Sequence, residues 1–260
     1  MSETTPLPSQ AGHWYHKDGR PCYEVPRAKG DGMRPTNLGD ARKLGLVPSV
    51  TEILNIAAKP GLEAWKAKQL LEASLTLPRL KDESLDDYAV RVVEDSKAQS
   101  QKAMQRGTDL HAAIEEWIKG QSSLIWQEHI NRMVDAMGQY GIFLSDGKAE
   151  HSFASPLGYG GKIDFHTDEV LIDFKTKDRI VDKKQLAWPE HCWQLAAYAQ
   201  GLGDGPLACC LAQFRCINVF IGVEDKQVRV HEWKKEDCDT AWEVFSHLLA
   251  VWKIVKKYNP

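Results

Sequence analysis

Three residues with chemical potential, Asp164, Asp173 and Lys175, stand inside GYGGKIDFHTDEVLIDFKTK, residues 158–177. The stretch otherwise has the apolar, β-branched and aromatic content of two strands. Strand interiors disfavour Asp, and a buried carboxylate is costly unless something positive pairs with it. Two carboxylates beside an ammonium are the groups needed to hold a hard divalent cation and to act on a phosphate ester. In VLIDFK, alternation puts Leu171, Asp173 and Lys175 on one face and Val170, Ile172 and Phe174 on the other. A turn centred on Thr167-Asp168 would pair Asp164 with Leu171 and Lys162 with Asp173. Asp164 and Asp173 would then share a face as a diagonal pair, roughly 7–8 Å apart at the backbone. An odd-length loop would send Asp164 to the opposite face. Gly160 and Gly161 leave the first strand bare, so that another backbone or a phosphate could come close. An edge hairpin carrying solvated charges has the same local pattern.

Two further motifs lie on expected helices. RGTDLHAAIEEWIKG places His111 and Glu115 one turn apart on one face, and WQLAAYA places Gln194 and Tyr198 at the same spacing among small apolar residues. Ordinary amphipathic packing accounts equally well for either motif alone.

The elements that must position these groups read as follows. Residues 1–12, MSETTPLPSQAG, are a polar tail. HWYHKDGRPCYEV forms a hairpin turning at Asp18-Gly19, and residues 26–48 read as Gly/Pro-rich loop. Ser49-x-x-Glu52 is a capping-box pattern before the short helix VTEILNIAA. Pro60-Gly61 ends that helix, and another starts at GLEAWKAKQLLEAS. Residues 84–119 are mostly helical, with Gly107-Thr108 as a boundary between two helices, and a further helix spans about 124–140. Strands follow from Lys148 to Lys175. The helix PEHCWQLAAYAQGL has Pro189 in its first turn and Gly201 at its end. LACCLAQFRCINVFIGV and QVRVHEW are strands, and a last helix follows a cap at Asp239. The order predicts an α/β fold, a central mixed sheet flanked by helices, with a helical N-terminal annex. Ile53, Leu54, Ile56, Trp65, Leu70 and Leu71 should pack that annex.

Composition sets looser bounds. Of 260 residues, 43% are hydrophobic and 27% charged, and the net charge is -3. This is ordinary for a globular chain and gives no basic field that would advertise nucleic acid. Bound divalent cations would offset the acidic groups. No secretory leader pattern and no apolar run of membrane-crossing length is present, which points to a cytoplasmic protein with no membrane partner. The six cysteines, Cys22, Cys192, Cys209, Cys210, Cys216 and Cys238, show no CxxC spacing and read as free thiols.

Taken in order, His111, Asp164, Asp173-x-Lys175 and Gln194-x-x-x-Tyr198 on helix, strand, strand and helix resemble the PD-(D/E)XK nuclease superfamily. The likeness is to its RecB-like branch, which includes phage-type exonucleases and the mitochondrial genome-maintenance exonuclease. The core resemblance covers about residues 107–200. VPSVTEIL, with Trp65 beyond it, is similar to the N-terminal region of phage-type members. The resemblance implies a restriction-endonuclease-like core and one nuclease domain over 13–260, with hairpin and annex at 13–106 and the catalytic core at 107–260. It implies Mg²⁺ or Mn²⁺ bound by His111, Asp164 and Asp173, with Glu150 at a less regular acidic position. Lys175 would assist the attacking water, while Gln194 and Tyr198 would steady the site. Lys66, Lys68, Lys102, Arg106, Lys177, Lys183 and Lys184 are candidate nucleic-acid contacts. The expected activity is metal-dependent exonucleolytic hydrolysis of DNA in phage or prophage recombination or replication. A single-strand annealing or single-strand-binding protein is the partner such enzymes imply. Endonucleolytic cleavage on the same core and an inactive nucleic-acid-binding module are the alternatives. Some relatives carry an iron–sulfur cluster on four cysteines. Adjacent strand residues such as Cys209 and Cys210 point to opposite faces, so no iron–sulfur cluster is expected.

Overall fold

The computed structural model describes residues 13–203 and 213–260. Five strands form the central sheet: β5 (Lys148–Ser155), β6 (Tyr159–His166), β7 (Val170–Lys177), β8 (Arg215–Gly222) and β9 (Val228–Glu232). They lie in that order, antiparallel except for the parallel pair β7–β8, so the sheet is mixed. A parallel pair needs a crossover, and α6 (Pro189–Leu202) lies within the connection. Before the sheet come β1 (Trp14–Tyr15), β2 (Glu24–Pro26), β3 (Met33–Pro35), α1 (Leu38–Leu44), β4 (Val47–Pro48), α2 (Val50–Leu54), α3 (Pro60–Thr76), α4 (Leu85–Ile118) and α5 (Gln127–Gly138). The helix α7 (Lys235–Lys256) follows it. The chain is therefore of mixed α/β class, with seven α-helices among the described residues. None of these is long and apolar enough to cross a membrane.

Alternation along β7 divides the core into two layers. Leu171 joins Cys216 and residues of α2, α6 and α7 in one buried cluster. Val170, Ile172 and Phe174 join Ile217, Val219 and Ile221 with Leu110 and Ile114 of α4 and Ile130 and Met133 of α5 in the other. The sheet is thus covered by α6 and α7 on one side and by α4 and α5 on the other.

Several local expectations change. The turn at Asp18-Gly19 forms, with Gly19 N donating to His16 O at 2.9 Å, but Trp14 and Tyr15 pair with Pro48 and Val47 of β4. Between the hairpin arms the backbone makes one β-bridge, Tyr15 to Pro21, and the Tyr15 and Tyr23 hydroxyls lie 3.0 Å apart. Within the expected 26–48 loop lies α1, started by an Asn37–Asp40 capping box that an Arg34–Asp40 ion pair reinforces. Ser49 caps α2 by accepting from Glu52 N, while the Glu52 carboxylate turns to Lys256 instead of completing the box. The boundary at Gly107-Thr108 does not exist, because α4 runs unbroken for 34 residues. Gly107 serves a close approach instead: a Cβ there would lie 2.6 Å from Thr176 Oγ1 on β7. The last helix begins at Lys235, and Asp239 lies inside it, paired with Lys235. In α3 only Ala73 is buried; Leu70 and Leu71 are exposed and do not pack as expected, whereas Ile53 and Leu54 do. The tail at 1–12 and the 207–212 part of the expected strand, with Cys209 and Cys210, lie outside the described residues.

Candidate active site at the β6–β7 fork

Strands β6 and β7 are joined by a tight turn in which Thr167 N donates to Val170 O at 2.9 Å. Phe165 pairs with Ile172 and His166 with Leu171, one residue beyond the expected register, because the turn centres on Asp168-Glu169. Continued, this register would bring Asp164 directly opposite Asp173. The ladder stops first. Beyond Ile172 the strands diverge, and the Asp164 carboxylate accepts from Phe174 N at 2.8 Å in place of a β6 carbonyl.

The divergence coincides with a change of face. Ile163 packs with Tyr159 and Leu171 in the α6 layer, whereas Phe165, two residues on, packs with Ile172 and Phe174 in the α4 layer. A regular strand would put both on one side. On β5, Ala149 and His151 stay paired with Phe165 and Ile163. Between them Glu150 adopts a left-handed backbone with φ of 54°, a strained state for a residue with a Cβ. Asp164 therefore sits where the sheet is twisted open.

Asp173 is the centre of the site. Its side chain is 3% exposed, accepts three hydrogen bonds and meets Lys175 a second time as an ion pair. Lys175 Nζ lies 2.8 Å from Oδ1 and 2.7 Å from Oδ2. Gln194 Nε2 donates to Oδ1 at 2.9 Å, and Asn218 Nδ2 to Oδ2 at 2.7 Å. A carboxylate has about four acceptor positions, so this one is saturated. Burial raises the Asp173 pKa, Lys175 opposes the rise, and the Asp164 charge adds to it. His111 on α4 places Nδ1 3.9 Å from Asp164 Oδ2 and meets the Phe174 ring edge-on, with centroids 6.3 Å apart.

The Gln194 amide ties the motifs together. Its nitrogen donates to Asp173 and to Tyr198 Oη, at 2.9 Å each, and its oxygen accepts from Lys175 Nζ at 3.2 Å. Burial, reinforced by the Asp173 and Asp164 charges, pushes the Tyr198 phenol far above its ordinary range, so it is a neutral hydrogen-bonding partner and not a base. The bareness of Gly161 admits protein rather than phosphate. A Cβ there would lie 2.7 Å from the Tyr198 ring, and one at Gly160 would lie 2.7 Å from Phe153 O.

His111, Asp164, Asp173, Lys175, Gln194 and Tyr198 are thus brought to one region. Glu150 is turned to Lys162 in an ion pair. Among the described residues no three His, Cys, Asp or Glu side chains are gathered into a group that could hold a metal ion. The cation already against Asp173 is the Lys175 ammonium.

The basic candidates divide. Lys66 and Lys68 pair with Glu63 and Glu72 on their own helix. Arg106 reaches Asp178 Oδ1 at 2.7 Å and so ties α4 to the end of β7. Lys102, Lys183 and Lys184 are exposed. Lys177 keeps accessible surface, yet partial burial of its ammonium lowers its pKa, and the Lys175 charge adds to the effect. Lys59, absent from the sequence expectations, is similarly depressed: burial is the main cause, Glu190 opposes it, and Lys175 adds to it. Gly61 at the start of α3 faces the Trp188 ring at the start of α6, where an added Cβ would lie 3.5 Å from the ring, which brings Lys59 to the same side of the sheet. Sequence reasoning also missed Asn218, since nothing local marks a strand residue whose partner is 45 positions away. The buried thiols Cys192, Cys216 and Cys238 share the α6-side core, with Cys192 Sγ 3.9 Å from Cys238 Sγ.

No protein-family model matches the chain, and no curated protein matches it.

Proposed function

We propose that this chain is a metal-dependent deoxyribonuclease of the PD-(D/E)XK type that hydrolyses phosphodiester bonds at the β6–β7 fork. The observation that carries the reading is the meeting of Lys175 and Gln194 on the buried Asp173 carboxylate, with the Asp164 carboxylate, held by Phe174 N, near enough for its charge to oppose the ionisation of Asp173. A fully satisfied Asp–Lys pair that served stability alone would gain nothing from a second carboxylate whose charge opposes the ionisation of the first.

The donor types suit a hard divalent cation, although among the described residues they are not gathered into a metal-holding group while Lys175 occupies Asp173. Asp164 and Asp173 offer carboxylate oxygens and His111 an imidazole nitrogen. Because Asp173 is saturated, these residues would hold Mg²⁺ or Mn²⁺ once the Lys175 ammonium gives up its place on the carboxylate. The bound ion would supply Lewis acidity, lowering the pKa of an attacking water and stabilising the leaving oxygen. The protein does the rest. Gln194 keeps Asp173 aimed through its nitrogen and guides Lys175 through its oxygen. Lys175, released from Asp173, faces the phosphate and neutralises the charge that develops there. Tyr198, kept neutral by burial, fixes the Gln194 amide.

The wall beside Lys175 suits a polyanion. Lys59, Lys66, Lys175, Lys177 and Lys183 form a chain of neighbouring charges, in which Lys66 is paired with Glu63 and Lys175 with Asp173, while Glu190 acts on Lys59 and Lys177 and Asp178 on Lys177. Lys59 and Lys66 also line a recess of about 430 Å³ at the junction of α2 and α3. Phosphates flanking the scissile bond would relieve this crowding of like charge. Lys59 and Lys66 set the start of α3 at this wall, and the exonucleolytic mode follows the resemblance of the motifs.

Saturation of Asp173 favours a second reading, a module that binds nucleic acid without cleaving it. Incubation of the purified protein with end-labelled linear DNA and with covalently closed circles, in Mg²⁺, Mn²⁺ or EDTA, separates these. The exonuclease degrades linear DNA only with metal and spares the circle. Discrete linear products from intact circles would show an endonuclease, and no degradation of either DNA would leave the binding module.

A further inference from the structure

Asn218 has no exposed surface, and both ends of its amide are engaged. The parallel register sets it beside Asp173 on β8. Its Nδ2 donates to Asp173 Oδ2 at 2.7 Å and approaches Asp173 O at 3.3 Å. Its Oδ1 accepts from Trp233 Nε1 at 2.7 Å. An Asn amide can be turned end for end with little change of shape, so packing alone does not choose its orientation. The partners do. Indole N–H is a donor only, so Trp233 requires the amide oxygen on its side. Reversing the amide would set two donors against each other at Trp233 and two acceptors at Asp173. Trp233 stands one residue past β9, with its backbone N donating to Cys216 O at 3.0 Å, so the indole is anchored from the sheet itself.

We propose that Asn218, locked in one amide orientation by Trp233, is a positioning residue that aims the Asp173 carboxylate. The proposal rests on the reading of Asp173 as the functional carboxylate, and it adds a part that no helix or strand motif carries. Lys175 must be able to leave Asp173, and Gln194 is shared with Lys175 and Tyr198. Asn218 directs its amide nitrogen to Asp173 alone, with one short contact to Oδ2 and a longer one to the backbone oxygen, and is held from behind. It therefore keeps Oδ2 in place while Lys175 moves. A partner that orients a metal-binding carboxylate in this way typically governs about 10–100-fold in metal affinity.

The test uses the full chain in two arms. In the metal-free protein, NMR follows solvent exchange of the Asn218 side-chain amide protons. They should be protected, and Trp233→Phe, which keeps a ring but loses the N–H, should speed their exchange by about tenfold or more, because a lost buried hydrogen bond is worth roughly 1.4 kcal/mol. In the second arm, calorimetry with Mn²⁺ should show about 10–100-fold weaker binding for Trp233→Phe and for Asn218→Ala. The double variant should lose no more than the weaker single variant, since both act through one contact. Trp233 is half-buried, so Trp233→Phe retains the test if Asn218→Ala does not fold. Unchanged amide exchange in Trp233→Phe, wild-type Mn²⁺ affinity in either variant, or additive losses would overturn the proposal. If wild type itself binds no Mn²⁺, the metal reading falls and the exchange arm decides the positioning role by itself.

Discussion

Replacing Lys175 by Met keeps the length of the side chain and removes the cation that occupies both oxygens of Asp173. Two effects of opposite sign follow. In the metal-free protein a buried carboxylate, 3% exposed, loses its ion-pair partner and keeps only Gln194 and Asn218 as donors. Breaking a buried pair from one side costs about 3–5 kcal/mol. The lower end applies here, because two donors remain and Asp173 can take up a proton instead of staying charged. At about 2–4 °C per kcal/mol for a domain approaching this size, Tm should fall by roughly 6–12 °C. Toward metal the sign reverses. A cation entering the wild-type site must displace an ammonium whose charge-assisted contacts are worth about 1.5–3 kcal/mol. Lys175→Met should therefore bind Mn²⁺ about tenfold more tightly or better. Free Mn²⁺ at about one hundred times Kd contributes about 2.7 kcal/mol and should restore most of the lost stability. DNA hydrolysis should still be absent, because no ammonium faces the phosphate. Thermal scans with and without Mn²⁺, together with calorimetry, measure both effects. A variant that keeps its metal-free Tm, or that binds Mn²⁺ more weakly than wild type, would refute the idea that Lys175 holds the cation position.

Two other perturbations probe the frame around the site. Gly201→Ala should lower stability by about 1–3 kcal/mol in a denaturant titration, despite the roughly 1 kcal/mol that Ala gains over Gly in a helix. Its Cβ would collide with the Phe153 ring, lying 2.6 Å from Cζ, and that ring packs edge-on against Tyr198; a variant as stable as wild type would remove this account of α6 packing. His191 accepts from Trp188 N at 3.2 Å, and burial, then the Lys175 and Lys177 charges, hold its pKa down at about 3. The unfolded chain takes up this proton near its ordinary value of about 6.5 and the folded chain does not. Stability is therefore full above pH 6.5 and falls toward pH 3, with a slope approaching about 1.4 kcal/mol per pH unit from this group. His191→Gln should flatten that part of the profile, and an unchanged acid slope would show that His191 charges freely in the folded state.

The groups that meet at the fork were legible because each belongs to a local pattern. Asp173 and Lys175 share a face by alternation, Gln194 and Tyr198 by one helical turn, and Pro189 and Ser49 mark helix starts by their chemistry. What the sequence withheld was non-local or strained. The Asp164 register moved by one residue because a two-residue turn at Asp168-Glu169 competes with one centred on Thr167-Asp168, and both leave the apolar pattern intact. The change of face between Ile163 and Phe165 lies opposite Glu150 in a left-handed backbone, which no propensity for Glu anticipates. Gly107 looked like a helix boundary because Gly is costly inside a helix, and its reason, contact with Thr176, lies on another element. Asn218 and Trp233 could not be found without the parallel pairing of β7 and β8. The exposed Leu70 and Leu71 show that apolar residues of a helix can stay at the surface among the described residues.

The central claim is that Asp173 is a working carboxylate and not a structural one. Turnover of end-labelled linear DNA by Asp173→Ala in Mn²⁺, measured on protein whose circular dichroism and Tm show it folded, tests that claim most directly. The account predicts loss of hydrolysis by about three orders of magnitude or more, comparable to removing a group on which the transition state depends. A folded Asp173→Ala protein that cleaves DNA within a few-fold of wild type would contradict it.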